Sequence, residues 1–173
     1  MTTLVAPRPA PDVRSDTPPV VVAMGRMGLA KDTEQLKAIG LGSCVAIVVL
    51  APTQRLAALA HCMLPAGDAS DNAPEKFAES AVASLLSLLN AAGATAPFAA
   101  ALVGGASMFP GVASAFVRDI AGGNVVAARN ALAVASIPVR AEDVGGSIGR
   151  SVLVDAATQR VMVRTIRDGE RWL

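Results

Sequence analysis

Two short apolar runs separated by a turn constrain the fold of this chain more than any other feature. Residues 45–50 are six consecutive apolar residues, too few for a helix, and they predict a strand buried on both faces. Residues 51–54 contain a proline and predict a turn, after which residues 55–63 return as a second strand. The pattern therefore predicts a β-hairpin at the centre of the fold.

The predicted hairpin brings a thiol close to the only histidine of the chain. Cys44 precedes the first strand and His61 lies on the second. Residues equidistant from a turn face each other, and a turn centred between residues 52 and 53 predicts Cβ atoms of this pair about 4.5–5.5 Å apart. An imidazole can take a thiol proton and later return it to a leaving amine. We therefore take Cys44 as candidate nucleophile and His61 as candidate base.

The glycine-bracketed turn before the cysteine supplies a candidate oxyanion and substrate-binding site at Gly42 and Ser43. Small residues there let backbone amides approach a substrate, and the amides of Ser43 and Cys44 are the candidate donors. Cys44 as a merely buried small hydrophobe stays open from the residues alone. A zinc site of Cys44, His61 and Cys62 is disfavoured, because neighbours on a strand point to opposite faces and too few ligands remain. We expect no metal and no cofactor.

Length, charge and the start of the chain limit the class of protein. A chain of 173 residues is enough for one domain with a substantial core. The net charge of +1, with scattered basic residues, argues against nucleic-acid binding. No apolar run approaches the ~20 residues of a membrane-spanning helix, so we expect no membrane insertion. Without features of a secretory signal, the two cysteines are expected to be reduced in the cytoplasm.

The rest of the chain predicts an α+β fold, a single layered domain of mixed sheets flanked by helices. Five prolines predict a flexible tail over residues 1–19, with a proline-rich ligand as the alternative, and residues 20–173 form the domain. Further strands are predicted over residues 20–27, 98–103, 139–142, 151–155 and 161–166. Residues 28–39 are predicted to form a loop with a turn near Lys31. Residues 167–171 are predicted to form a frayed end.

Three helices are predicted. The first begins at a capping box of Asn72 and Glu75 and ends at Gly93. A short helix over residues 110–120 is separated by Gly122 and Gly123 from an alanine-rich helix over residues 125–136.

Several motifs, in this order, resemble the CheD family of chemoreceptor glutamine deamidases of bacterial chemotaxis. They are GLGSCV (residues 40–45), AHCMLP (60–65), VGGASMF (103–109), RN (129–130) and DVGGSIGR (143–150). The resemblance extends from about residue 20 to the C-terminus. It implies a cysteine-hydrolase-like site on the hairpin, with Cys44 as nucleophile and His61 as base. It also implies methyl-accepting chemotaxis receptors as substrates and a CheC-type phosphatase as a second partner.

One departure from the family pattern bears directly on the proposed chemistry. The family has a threonine six positions before the cysteine, regarded as the third catalytic residue, and this chain has Ala38 there. Alanine cannot hydrogen-bond an imidazole, so a backbone carbonyl, Thr33 or Gln35 would have to orient His61. The rival hypothesis is a binding module that kept recognition of receptors or phosphatase and lost turnover.

Overall fold

The computed structural model describes residues 17–67, 73–107 and 115–173, with backbone only for 115–119. Within these residues the chain forms two five-stranded sheets and two α-helices. The strands are β1 (Val20–Val21), β2 (Met27–Lys31), β3 (Gln35–Leu41), β4 (Val45–Ala51), β5 (Leu56–Cys62), β6 (Ala99–Gly104), β7 (Val139–Val144), β8 (Arg150–Asp155), β9 (Arg160–Thr165) and β10 (Gly169–Trp172), and the helices are α1 (Ala78–Ala91) and α2 (Ala115–Val134).

The elements stack in three layers. The first sheet has the order β1-β3-β8-β9-β10, and the second has the order β2-β5-β4-β6-β7. The pairs β1–β3 and β6–β7 are parallel and the others antiparallel, so both sheets are mixed. Both helices pack on one face of the second sheet, whose other face packs against the first sheet. The predicted α+β fold of mixed sheets and helices is confirmed, with the helices on one side only.

The β4–β5 hairpin is the centre of the molecule, as predicted. All seven residues of each strand are buried, and β6 pairs with the free edge of β4. A 3₁₀ turn over Pro52–Gln54 and left-handed Arg55 connect the two strands. Burying each valine, leucine or isoleucine side chain contributes about 1.5–3 kcal/mol, which accounts for the stability of this doubly covered hairpin.

The segment before the hairpin differs from the prediction. Residues 20–27 are not one strand: β1 ends at Val21, a turn containing Gly25 follows, and β2 starts in the other sheet. The predicted loop 28–39 is mostly the strands β2 and β3, joined by a turn at Asp32 close to the predicted position. In β3 the buried Leu36 and Ala38 alternate with polar residues, because only one face of this strand meets the core.

Helix α2 runs through the glycine pair that was predicted to break it, so the prediction of two helices there is wrong. Neither Gly122 nor Gly123 has a positive φ. A Cβ on Gly123 would lie 2.8 Å from Cγ of Pro65, so this glycine allows the loop after β5 to approach the helix. Residues 110–114 of the predicted short helix lie outside the described residues.

Helix α1 begins later than predicted. Asn72 lies outside the described residues, Glu75 lies in a 3₁₀ turn, and α1 starts at Ala78 after extended Phe77. The helix ends at Ala91, and Gly93 with φ +88° follows, as predicted.

The C-terminal end is a strand, so the predicted frayed end is also wrong. Residues Gly169–Trp172 form β10, which pairs with β9. All four residues are exposed, and the segment therefore carries no apolar pattern. The guanidinium of Arg160 lies 4.5 Å from the centroid of the Trp172 ring and helps to hold this edge. The strands predicted around residues 98–103, 139–142, 151–155 and 161–166 are confirmed as β6 to β9.

Candidate active site

The hairpin register places Cys44 and His61 on the same face, although not directly opposite each other. His61 pairs with Ala46, and Cys62 pairs with Val45. The connection occupies residues 52–55, one residue later than predicted, which moves the pairing by two residues and therefore preserves the face. Cys44 and His61 become diagonal neighbours, a relation that typically separates Cα atoms by about 7–8 Å. The prediction of direct opposition is corrected.

Cys44 lies where β4 emerges from its glycine-containing turn. Its carbonyl oxygen accepts a hydrogen bond from the amide of Gly105 at 2.8 Å, and a Cβ on Gly104 would collide with that oxygen. Gly104 is therefore required for the close approach of β6, rather than only for a turn. Cys44 is buried, with 8% of the residue exposed, compared with none of Cys62.

His61 is held through its backbone by the turn that follows β1. Its carbonyl oxygen accepts from the amide of Gly25 at 2.8 Å, and its amide donates to the carbonyl of Arg26 at 2.9 Å. His61 is 2% exposed, and neither ring nitrogen has a hydrogen-bond partner among the described residues. The main chain of His61 is fixed, while its ring is available for a group that enters the site.

Burial sets the resting charge of this pair. Burial raises the pKa of the Cys44 thiol, and the residue's own backbone amide offsets part of this by favouring the thiolate. Burial lowers the pKa of His61, and the backbone of Val22 opposes this by favouring the protonated ring. Both shifts favour a neutral thiol and a neutral imidazole over an ion pair.

Ala38 lies in the buried cluster that also contains Cys44 and Val22. Thr33 and Gln35 do not replace the family threonine, because Thr33 is exposed and Gln35 donates to Asp155 at 2.8 Å. The backbone of Val22 favours the protonated imidazole, but neither ring nitrogen makes a hydrogen bond of good geometry within the described residues. Val22 is placed beside Ala38 by a hydrogen bond from its amide to the carbonyl of Lys37.

The backbone amides of the predicted oxyanion and substrate-binding turn divide into two kinds. The amide of Gly42 donates to the carbonyl of Gly40 at 2.9 Å and is already used. The amides of Ser43 and Cys44 donate to no carbonyl within the described part of the chain. These two donors are the ones left to bind a substrate oxygen.

The residues of the alternative zinc site are not on one face. Cys62 is fully buried in the cluster between the second sheet and the helices, whereas Cys44 belongs to the cluster between the two sheets. Burial is the main cause that raises the pKa of Cys62. Cys62 therefore packs as a small hydrophobic side chain.

Asn124 is a polar residue at this site that sequence reasoning missed. It is fully buried on α2, and its Nδ2 donates to the carbonyls of Ser43 at 2.8 Å and Met63 at 3.0 Å. A sequence signal existed, because Asn124 lies on the buried stripe of the helix. That stripe contains Ala121, Asn124, Val125, Ala128 and Leu132. A lone asparagine on such a stripe indicates a specific hydrogen-bonding task.

The fold and the site define a layered α+β protein that presents a thiol and an imidazole at one end of a buried hairpin, an arrangement suited to thiol-dependent acyl transfer. Comparison with known proteins identifies the family. The family profile described as CheD chemotactic sensory transduction matches residues 63–165. No helix in the described ranges has the length and apolar character needed to cross a membrane.

Relatives agree with that match. The chain is 36% identical to the chemoreceptor glutamine deamidase CheD of Halalkalibacterium halodurans, over 88% of this chain and 96% of the relative. It is 34% identical to the protein of the same name from Thermotoga maritima, over 87% of this chain and 94% of the relative. A probable chemoreceptor glutamine deamidase CheD of Caldanaerobacter subterraneus is 35% identical over 88% of this chain. The chain belongs to the CheD family.

Proposed function

We propose that this chain is a chemoreceptor glutamine deamidase, which converts specific glutamines of methyl-accepting chemotaxis receptors to glutamates and releases ammonia. The observation that supports this most is the shared face of Cys44 and His61 at the open end of the hairpin, in a member of the CheD family. The names of the relatives support a chemoreceptor substrate. A cytoplasmic location is part of the same proposal, because the proposed substrate is the cytoplasmic part of the receptor.

The proposed reaction begins from the neutral pair. As the sulfur of Cys44 attacks the side-chain carbonyl carbon of a glutamine, His61 takes the thiol proton. The carbonyl oxygen becomes an oxyanion, which the amides of Ser43 and Cys44 stabilise. His61 then gives its proton to the amide nitrogen, the carbon–nitrogen bond breaks, and ammonia leaves a thioester on Cys44.

Water completes the cycle. His61 takes a proton from the water as its oxygen attacks the thioester carbonyl, and the proton returns to the sulfur when the carbon–sulfur bond breaks. The products are a glutamate side chain and the original thiol. Every proton in this scheme moves through His61, and the reaction requires no oxidant, reductant or cofactor.

A second candidate function has one structural observation in its favour. Ala38 offers no hydroxyl, and neither ring nitrogen of His61 has a hydrogen-bond partner among the described residues. A site with a less firmly oriented base could bind receptors, or a CheC-type phosphatase, without turning substrate over. This binding module is the alternative that the experiment has to separate.

The experiment measures ammonia release from a purified receptor cytoplasmic fragment with three proteins: wild type, Cys44→Ala and Ala38→Thr. We expect release by the wild type and none by Cys44→Ala. Ala38→Thr tests the missing hydroxyl, and increased release would show that orientation of His61 limits the rate. A wild type that binds the fragment without releasing ammonia, and gains activity in Ala38→Thr, would refute the deamidase and support the binding module.

A further inference from the structure

We propose that Asn124 is a positioning residue that aims the backbone amide of Cys44 at the oxyanion. This inference rests on the proposed function, because it concerns the acyl-transfer site formed by Cys44 and His61. Asn124 contributes no group to the reaction itself. Its role follows from the way that the turn before Cys44 is tied to the rest of the fold.

Three consecutive carbonyls of this turn are held by groups outside it. The carbonyl of Gly42 accepts from the amide of Ala106 at 2.7 Å, and that of Cys44 accepts from the amide of Gly105 at 2.8 Å. The carbonyl between them belongs to Ser43 and accepts from Nδ2 of Asn124 at 2.8 Å. Of the three donors, only that of Asn124 is a side-chain group, while the other two are backbone amides of the segment after β6.

The hydrogen bond to the Ser43 carbonyl oxygen also fixes the direction of the Cys44 N–H, because both groups belong to the same peptide unit. In a trans peptide the C=O of one residue and the N–H of the next lie in one plane and point in opposite directions. Directing the Ser43 carbonyl towards Asn124 therefore directs the Cys44 amide away from it. Because that amide belongs to the residue that carries the sulfur, it lies next to the nucleophile.

The second hydrogen bond of Asn124 connects the turn to the strand that carries the base. Nδ2 donates to the carbonyl of Met63 at 3.0 Å, two residues after His61. Both neighbours are carbonyl acceptors, so the amide nitrogen of Asn124 has to face them. The same nitrogen thus links the loop of the nucleophile to the end of β5, and full burial keeps water from replacing it.

The test compares two reactions of the Cys44 thiol in the full-length protein. Acylation by p-nitrophenyl acetate passes through a tetrahedral oxyanion before p-nitrophenolate leaves, whereas alkylation by iodoacetamide displaces iodide without forming one. The ratio of the two rate constants reports oxyanion stabilisation and cancels changes in thiol access or pKa. The variants are Asn124→Ala, Asn124→Asp, which removes the donor at nearly constant volume, and Asn124→Gln, which keeps a donor. Cys44→Ala measures the background, and Asn90→Ala alters an exposed asparagine on α1 as a control.

We expect Asn124→Ala and Asn124→Asp to lower the acylation-to-alkylation ratio about tenfold or more, because losing one oxyanion donor outright typically costs about 10²–10³-fold. Asn124→Gln should recover part of the loss, and Asn90→Ala should match the wild type. An unchanged ratio would overturn the proposal, as would equal slowing of both reactions, which a purely structural role predicts. If Asn124→Ala does not fold, equal acylation-to-alkylation ratios in Asn124→Asp and Asn124→Gln would overturn the proposal.

A parallel ammonia assay with the receptor fragment keeps the two proposals apart. A wild type without ammonia release contradicts the deamidase, while the ratio at the thiol still decides the role of Asn124.

Discussion

The two faces of the β4–β5 hairpin hold chemically identical groups in different surroundings. Cys44 and Cys62 are both free cysteines on this hairpin, and burial raises the pKa of each thiol. Cys62 faces the helices and is fully buried, whereas Cys44 faces the space between the sheets and is 8% exposed beside a glycine turn. Only the second face also carries an imidazole.

The difference shows that burial by itself does not make a reactive thiol. Burial opposes the thiolate on both faces, so what distinguishes Cys44 is the imidazole on its face and the two turn amides that donate to no described carbonyl. Strand alternation separates the two environments by a single residue, because successive side chains point to opposite faces.

The largest expected contrast is between adjacent residues of β5. His61→Asn should lower kcat of deamidation about 10²–10⁴-fold, because it removes the proposed general base. Cys62→Ala should leave kcat close to the wild-type value, since Cys62 lies on the face turned towards the helices. The measurement is ammonia release from the receptor fragment at saturating concentration. Equal losses in both variants would contradict the assignment of the two faces.

A smaller contrast concerns thiol labelling. Iodoacetamide at neutral pH should modify Cys44 at least about tenfold faster than Cys62, because Cys62 can react only when the core opens locally. Peptide mapping by mass spectrometry after short exposures gives both rates in one sample. The Cys44 rate should still be rising above the ordinary thiol pKa, because burial raises the pKa of Cys44. Labelling of Cys62 first would refute this view of the hairpin.

The two thiols should also differ in their contribution to stability. Cys62→Ser places a hydroxyl in the apolar cluster beneath the helices, and we expect a loss of about 1–3 kcal/mol in the free energy of unfolding. Cys44→Ser should cost less, because Cys44 lies at the end of β4 and is less completely buried than Cys62. Urea denaturation followed by circular dichroism checks both values. A larger loss for Cys44→Ser would reverse the comparison.

The smallest expected effect is a pH dependence of stability. The pKa of His61 is lowered in the folded protein, so below about 6.5 the unfolded chain binds a proton that the folded chain resists. The contribution of neutral His61 is complete above the unfolded pKa and is lost as the pH falls towards the folded value. Denaturation at pH 7.5 and at lower pH should show this loss in the wild type and a weaker one in His61→Asn. Equal pH dependence in both proteins would contradict a buried neutral imidazole.

The local sequence pattern was sufficient to predict the hairpin and to place the thiol and the imidazole on the same face. The apolar runs and the turn predicted β4 and β5, and the period of two kept Cys44 and His61 on one face even though the turn lies one residue later. Strands β6 to β9 followed from the same kind of pattern. The family could be recognised because its motifs are short stretches of consecutive residues, which can be read directly in the sequence.

The sequence by itself therefore determined the strands that are buried on both sides and the residues that could react, because each depends on neighbours close along the chain. Tertiary structure decided the rest. The β10 strand pairs with the edge that β9 offers, α2 continues through Gly122 and Gly123 with Pro65 packed against Gly123, and Asn124 meets Ser43 from 81 residues away. Such contacts leave only weak local patterns, since a hydrogen bond between distant segments depends on where the sheets and helices bring the chain together.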